Sequence, residues 1–241
     1  GTSILSNGKP MPLSDTPESD LMNNALNLSI TEEKAEVLRR YREAAGEKSE
    51  PLSHDALAAV AGTPLPDWDD LLRKVLDVSP GPPGANMYHR AVQDLLTALF
   101  YPALDHARRE EEIHEGRKRI DIFFANLASE GFFSWVNRTP GVVSANVVVE
   151  CKNYTKAVAN PEYDQITSRF ATRRGNLGML LYRGYGQDKA EVVQHFRDAA
   201  LDGRGFVIAL DDEDLKVLVN ARKDGEETPF KYLRQRFLEL I

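Results

Sequence analysis

The chain has very little cysteine, no long apolar run and no strong positive charge. Each of these absences argues against particular classes of protein. Its 241 residues include one cysteine, Cys151, so no disulfide can form within the chain, which favours a reducing compartment. No apolar run approaches the roughly 18 residues that a membrane span needs. No signal peptide is visible either. We therefore expect a cytoplasmic protein with no membrane segment.

Two common kinds of site are also missing from the sequence. No glycine-rich loop of the Walker type is present, which argues against ATP use by this chain. The five histidines and the single cysteine do not have the spacing of a zinc site. Any chemistry must therefore come from other side chains.

The charge is unevenly distributed along the chain. The net charge of −7 argues against a generic nucleic-acid coating protein. Residues 1–80 contain 14 acidic and 8 basic side chains, whereas the remaining residues contain 23 and 22. The later part can therefore carry a local basic groove, and the acidic first part is better suited to regulation, dimerisation or docking of a partner protein.

The clearest break in the chain is SPGPPGAN, residues 79–86, because proline and glycine interrupt regular structure there. We predict a boundary at this point, between an extension over 1–80 and a larger domain over 81–241. The extension is expected to be weakly ordered over 1–28. Helices are then expected over 29–46, 53–62 and 67–78.

The larger domain has the pattern of an α/β fold with a mixed sheet flanked by helices. After a helix that begins near residue 87, strands are predicted over 119–126 and 146–151. A helix over 161–174 precedes two further strands, 177–183 and 205–210, which are separated by a helix, and helices end the chain. Residues 127–145 are expected to form an insertion or a hairpin, and the aromatic group FFSW within them either packs in the core, contacts a partner or inserts between bases.

In the stretch NVVVECKNYTK, residues 146–156, an apolar strand leads directly into Glu150 and Lys152. Alternation along a strand puts these two side chains on one face and Cys151 on the other. Burying an acid and an amine is costly unless they are paired or bound to a metal. A surface salt bridge at a strand end is the alternative interpretation.

Asp121, within RIDIFF, is a second acid inside an apolar strand. If the two strands are neighbours, Asp121 and Glu150 converge, and two carboxylates at one point favour a hard divalent cation between them. The backbone carbonyl of Cys151 is a further candidate ligand. A lysine beside such a metal can orient water or stabilise negative charge in phosphate-ester hydrolysis.

An aspartate on one strand followed by Glu150-Cys151-Lys152 on the next resembles the PD-(D/E)XK nuclease superfamily, which is restriction-endonuclease-like, and its Mrr-like branch in particular. The resemblance covers roughly residues 86–210. It implies an α-β-β-β-α-β core, Asp121 and Glu150 as ligands of Mg²⁺ (with Mn²⁺ as a substitute), and Lys152 as a catalytic residue.

Gln165 stands where several branches of the superfamily carry a glutamine on the helix after this strand. The resemblance implies a catalytic role for it, at a metal-bound water or the scissile phosphate. The alternative is a side chain that only caps the start of a helix. Arg169 lies four residues on and shares a helix face with Gln165, so it could contact a phosphate.

Many members carry an acid on the first core helix, and His89 aligns there instead. Glu110, Glu111 and Glu112, just before the first predicted strand, offer substitutes for that acid. His89 and Glu112 are the additional candidates for the site. The predicted nucleic-acid contacts are Arg117, Lys118, Arg119, Asn153, Arg169 and Arg173. For the basic residues among these, a solvated turn or helix end is the competing explanation.

The sequence thus suggests a Mg²⁺-dependent DNA endonuclease that acts in prokaryotic restriction or anti-phage defence. Two alternatives stay open: a ribonuclease or junction-resolving nuclease with the same core, and an inactive nuclease fold used for binding or assembly. DNA is the expected partner, and a homodimer would suit a duplex-cutting enzyme.

Overall fold

The computed structural model describes residues 4–6, 9–11, 53–62, 64–113, 118–225 and 228–241. It contains two compact units, Gly1–Pro51 and Leu52–Ile241. In the first unit, strands β1 (Ile4–Ser6) and β2 (Lys9–Met11) pair antiparallel, with Ile4 opposite Met11. These two strands were not predicted. The helix predicted over 29–46 lies outside the described residues.

The second unit is an α/β fold with a five-stranded mixed sheet flanked by helices, which confirms the predicted fold class. Its strands are β3 (Leu104–Ile113), β4 (Lys118–Asn126), β5 (Asn146–Lys152), β6 (Leu177–Tyr182) and β7 (Phe206–Leu210). Its helices are α1 (His54–Ala61), α2 (Trp68–Leu76), α3 (Ala85–Phe100), α4 (Gly131–Asn137), α5 (Asn160–Thr167), α6 (Lys189–Leu201), α7 (Asp212–Asp224) and α8 (Thr228–Leu238). Within the described residues, no helix has the length and apolar content that crossing a bilayer requires.

The strands lie in the order β3-β4-β5-β6-β7. β3, β4 and β5 are antiparallel neighbours, whereas β5, β6 and β7 run parallel. Every residue of β6 is buried, as its continuous apolar sequence predicts for a central parallel strand covered on both faces. The chain from α3 to β6 therefore follows the helix and strand order α-β-β-β-α-β, apart from the short helix α4.

Strand β3 was not predicted from the sequence. Its sequence, LDHARREEEI, is mostly charged and most of its middle is exposed, because β3 is an edge strand that pairs only with β4 in the described sheet. Edge strands are commonly protected by charged side chains, which hides their apolar alternation. The strand is also irregular, since its register shifts between Asp105 and Arg108.

Helix α5 ends at Thr167, seven residues before the predicted end at residue 174. Ser168 caps it, and the backbone then forms a tight turn in which Ala171 and Gly175 bridge. Because the helix ends early, the chain changes direction after Thr167. Arg169 lies beyond the helix and does not share a helical face with Gln165.

The aromatic group at residues 132–135 belongs to α4 and packs in the core. Phe132 and Phe133 are almost fully buried and contact Phe100 and Phe237 in edge-on arrangements. This arrangement agrees with the core-packing interpretation of the FFSW group. The short helix itself was not predicted within the insertion.

Helix α2 packs against α3 and α7, so it belongs to the same compact unit as the sheet. Lys223 on α7 donates to both carboxylate oxygens of Asp69 at 2.9 Å. Arg183, just after β6, donates to the carbonyls of Leu76 and Val78 at 3.0 and 2.8 Å. The compact unit begins at Leu52, whereas the functional division that we predicted near residues 79–86 stays a prediction.

Candidate active site

The candidate site lies where strands β4 and β5 separate. Their backbone ladder begins at Ile122, opposite Val149, and continues to Ala125 opposite Asn146. Continued by one residue, this register would place Asp121 opposite Glu150. At that point, however, the backbone N–H of Cys151 donates to Oδ2 of Asp121 at 2.8 Å. The Asp121 side chain thus replaces a backbone partner where the ladder ends, and the two acids lie near each other in this gap between β4 and β5.

Glu150 is completely buried, and three side chains surround its carboxylate. Arg169 Nε donates to Oε1 at 3.0 Å, and Gln165 Nε2 donates to Oε2 at 2.7 Å. Lys152 Nζ lies 3.5 Å from Oε2. Both carboxylate oxygens are therefore satisfied inside the protein, as a buried acid requires.

The pKa of Glu150 is raised from its ordinary value of 4.5 to about 7. Burial is the main cause, because it disfavours the charged form, and the neighbouring charge of Asp121 adds to it. Lys152 and Arg169 act in the opposite direction. The two acids on β4 and β5 are thus close enough to repel each other.

Lys152 is buried, and its amine is held in place by Gln165. Nζ donates to Gln165 Oε1 at 2.8 Å, so Gln165 contacts both Lys152 and Glu150 with its two amide atoms. Lys152 also lies opposite Tyr182 in the parallel ladder of β5 and β6. The amine itself is held between Gln165 on α5 and Glu150 on β5.

The arrangement of donors can be compared with what a divalent metal needs. Among the described residues, no three His, Cys, Asp or Glu side chains form a group that could hold a metal ion alone. Mg²⁺ commonly uses only one or two carboxylates and keeps several waters. Asp121 and Glu150 provide two such carboxylates at one point, and their mutual repulsion would be relieved by a cation. Two carboxylates, with water or substrate as the remaining ligands, are compatible with the coordination that Mg²⁺ uses.

Cys151 contributes its backbone to the site. Its thiol is buried, and burial raises its pKa well above the ordinary value, which disfavours the reactive thiolate. Its N–H orients Asp121 as described, and its carbonyl remains a predicted metal ligand.

His89, on helix α3, lies next to the acids. Its Nε2 is 3.8 Å from Asp121 Oδ2, and its Nδ1 is 3.7 Å from Glu110 Oε1. The register of β3 with β4 places Glu110 opposite Asp121, and Arg119 NH1 donates to Glu110 Oε2 at 3.0 Å. The sequence offered His89 and the acids Glu110, Glu111 and Glu112 here. Glu112, the acid chosen as a candidate, is exposed and lies opposite Arg119 in the ladder. Glu110 is the acid that adjoins His89.

The predicted nucleic-acid contacts fall into two groups. Lys118, Arg119 and Arg173 are exposed, and Lys118 Nζ donates to Ser168 Oγ, beside the end of α5, at 3.3 Å. Arg117 lies outside the described residues. Lys118 thus places one exposed positive charge near the helix that carries Gln165.

Asn153 and Arg169, for which nucleic-acid contacts were predicted, are buried. Asn153 Nδ2 donates to the carbonyls of Ser79 and Gly81 at 2.9 and 3.0 Å, and its Oδ1 accepts from Arg183 at 3.2 Å. Its amide thus ties the loop before α3 to the end of β5. Arg183 completes this network and was not among the predicted site residues. Its sequence signal is a charged residue at the end of the apolar strand predicted over 177–183.

Comparisons with known proteins add one structural likeness. No protein-family model and no curated protein matches this sequence. Among solved structures, the restriction endonuclease FokI is similar, with 11% sequence identity and a TM-score of 0.46. The match covers 78% of this chain and 33% of the FokI chain, so this chain spans about a third of that protein.

Proposed function

We propose that this protein is a metal-dependent nuclease that hydrolyses phosphodiester bonds in DNA. One observation carries the proposal: at the gap between β4 and β5, Asp121 meets the buried Glu150, and Lys152 lies 3.5 Å from that acid with its amine held by Gln165. An acid pair with a fixed amine on a rigid, partly dry surface suits phosphoryl chemistry, in which positioning and charge stabilisation contribute most of the rate.

Asp121 and Glu150 would hold the metal, with the Cys151 carbonyl as a third oxygen ligand. Mg²⁺, or Mn²⁺ in its place, would supply a Lewis acid for the phosphate oxygens and a more acidic water. Asp121 is oriented for this role by the Cys151 N–H, and Glu150 by hydrogen bonds to both of its oxygens.

Lys152 and Gln165 would act on the water and on the phosphate. The Lys152 amine can orient the attacking water and offset the negative charge that develops on the phosphate in the transition state. Gln165 keeps that amine from turning away, because its Oε1 accepts from Nζ at 2.8 Å. Gln165 Nε2 meanwhile holds Glu150, so one side chain sets the distance between acid and amine.

The biological setting is part of the proposal and is supported by the sequence resemblance alone. A cytoplasmic restriction or anti-phage role agrees with the Mrr-like Glu150–Lys152–Gln165 pattern. A homodimer would bring two such sites to the two strands of a duplex. The acidic residues 1–80 would bind a partner protein rather than DNA.

Cleavage of plasmid and linear duplex DNA with Mg²⁺, Mn²⁺ or EDTA tests this function. We expect metal-dependent cleavage that Lys152→Ala lowers by roughly 10²–10⁴-fold. The matched control is Lys156→Ala, because Lys156 is an exposed lysine four residues further along the chain. RNA and branched DNA, tested in parallel, decide the substrate class. Absence of metal-dependent cleavage on all of these substrates would contradict the proposal.

A further inference from the structure

Arg169 occupies a place that its sequence position does not suggest. It is 8% exposed, and its Nε donates to Oε1 of Glu150 at 3.0 Å. The turn that follows α5 directs it there, since the helix ends at Thr167. Arg174 Nε donates to the backbone carbonyl of Arg169 at 2.9 Å and so fixes the same turn. The guanidinium therefore holds one carboxylate oxygen of Glu150, and Gln165 holds the other.

The charges around Glu150 make this contact important. A fully buried carboxylate is costly unless charge and hydrogen bonds compensate it, and Asp121 adds repulsion. Lys152 is 3.5 Å away and donates to Gln165 at the shorter distance of 2.8 Å. Arg169 is thus the cation in direct hydrogen-bond contact with Oε1, and its planar guanidinium is well suited to fixing a carboxylate.

We infer that Arg169 is a positioning residue of the nuclease site, which holds Glu150 oriented for the metal instead of contacting the nucleic-acid backbone. The inference rests on the proposed function, because it assigns Arg169 to the metal ligand Glu150. With Arg169 on Oε1, and with Gln165 and the more distant Lys152 on Oε2, the carboxylate is held at both of its oxygens. Losing Arg169 would free one end of the acid.

If Arg169 contacted a phosphate of the nucleic acid instead, its removal would affect different measurements. Partners that orient a metal ligand typically contribute 10–100-fold to metal affinity. A phosphate-binding arginine instead leaves metal affinity unchanged, and its removal reduces the salt dependence of DNA binding by about one unit of slope. Measurements on metal and on DNA therefore separate the two roles.

The experiment is a titration of Mn²⁺ into the whole protein without DNA, followed by the electron paramagnetic resonance signal of free Mn²⁺. We expect Arg169→Ala to bind Mn²⁺ roughly 10–100-fold more weakly than the wild type, and guanidinium ions to restore part of the affinity. Arg138→Ala is the matched control, because Arg138 is an exposed arginine at the end of α4 with no predicted role in the site, and it should bind Mn²⁺ normally.

Circular dichroism shows whether Arg169→Ala folds. If it does not, Arg169→Gln, which keeps a hydrogen-bond donor, replaces it in the titration. It too is expected to bind Mn²⁺ more weakly. Wild-type Mn²⁺ affinity in either folded variant, together with a shallower salt dependence of DNA binding, would overturn the inference and leave the proposed nuclease intact. Glu150→Ala in the same titration should abolish binding. If the wild-type protein bound no Mn²⁺, the metal site itself would be rejected.

Discussion

The backbone N–H of Cys151 donates to Oδ2 of Asp121 at 2.8 Å, in place of a ladder bond between β4 and β5. The acid of one strand is thereby tied to the strand that carries Glu150 and Lys152. This bond both orients Asp121 and satisfies a buried backbone donor, so its structural and proposed catalytic roles can be separated by substitution.

Asp121→Asn should preserve the bond to Cys151, because an amide oxygen can accept it, but should remove the negative charge. We expect its free energy of unfolding to stay within about 1 kcal/mol of the wild type, whereas Asp121→Ala should lose roughly 1–3 kcal/mol. Both variants should lose Mn²⁺ binding. Urea denaturation and Mn²⁺ titration measure the two effects, and Mn²⁺ binding by Asp121→Asn equal to wild type would contradict the role of Asp121.

The raised pKa of Glu150 predicts a pH dependence of stability in metal-free protein. Between its ordinary value of 4.5 and about 7, the folded protein binds a proton that the unfolded chain releases. Stability therefore falls as pH rises through this window, by at most roughly 3 kcal/mol, and the loss is complete above it. Denaturation in urea with EDTA from pH 4 to 8 measures this dependence.

Glu150→Gln is the control for this pH dependence, since it cannot titrate. Asp212, whose pKa burial raises to about 6, acts in the same direction in both proteins. The difference in slope between wild type and Glu150→Gln therefore isolates Glu150. Equal slopes would mean that Glu150 is not buried as an acid next to Asp121.

Asn153→Ala should act on stability and not on DNA contact. It removes two hydrogen bonds to the loop before α3 and one from Arg183, leaving buried groups without partners. We expect a loss of roughly 2–4 kcal/mol in the free energy of unfolding. The exposed Asn220 on α7 provides the control Asn220→Ala. A stable Asn153→Ala variant with weakened DNA binding would instead support the contact predicted from the sequence.

Lys118→Ala should weaken DNA binding equally for all sequences. Lys118 is exposed beside the end of α5, and a lysine that neutralises one phosphate contributes about one unit to the salt slope. Filter binding at several salt concentrations should show a slope that is shallower by about one unit. Lys231→Ala, an exposed lysine on α8, should leave the slope unchanged. If Lys118→Ala and Lys231→Ala gave the same salt slope, DNA would not contact Lys118.

The sequence alone determined much of this fold and one half of the site. The apolar runs of β5, β6 and β7 predicted buried strands, because few other structures tolerate such continuous apolar segments in a chain of this composition. Alternation along β5 determined that Glu150 and Lys152 share a face. Those residues needed no information from distant parts of the chain.

Tertiary structure decided the other half of the site and the remaining features of the fold. Asp121 meets Glu150 only because β4 pairs with β5, and strand pairing depends on contacts far apart in sequence. Strand β3 was missed because an edge strand can be charged along its length. Asn153 is buried through a loop some 70 residues earlier in the chain. Arg169 reaches Glu150 because α5 ends at Thr167, and a helix end is set by tertiary packing more than by helical propensity.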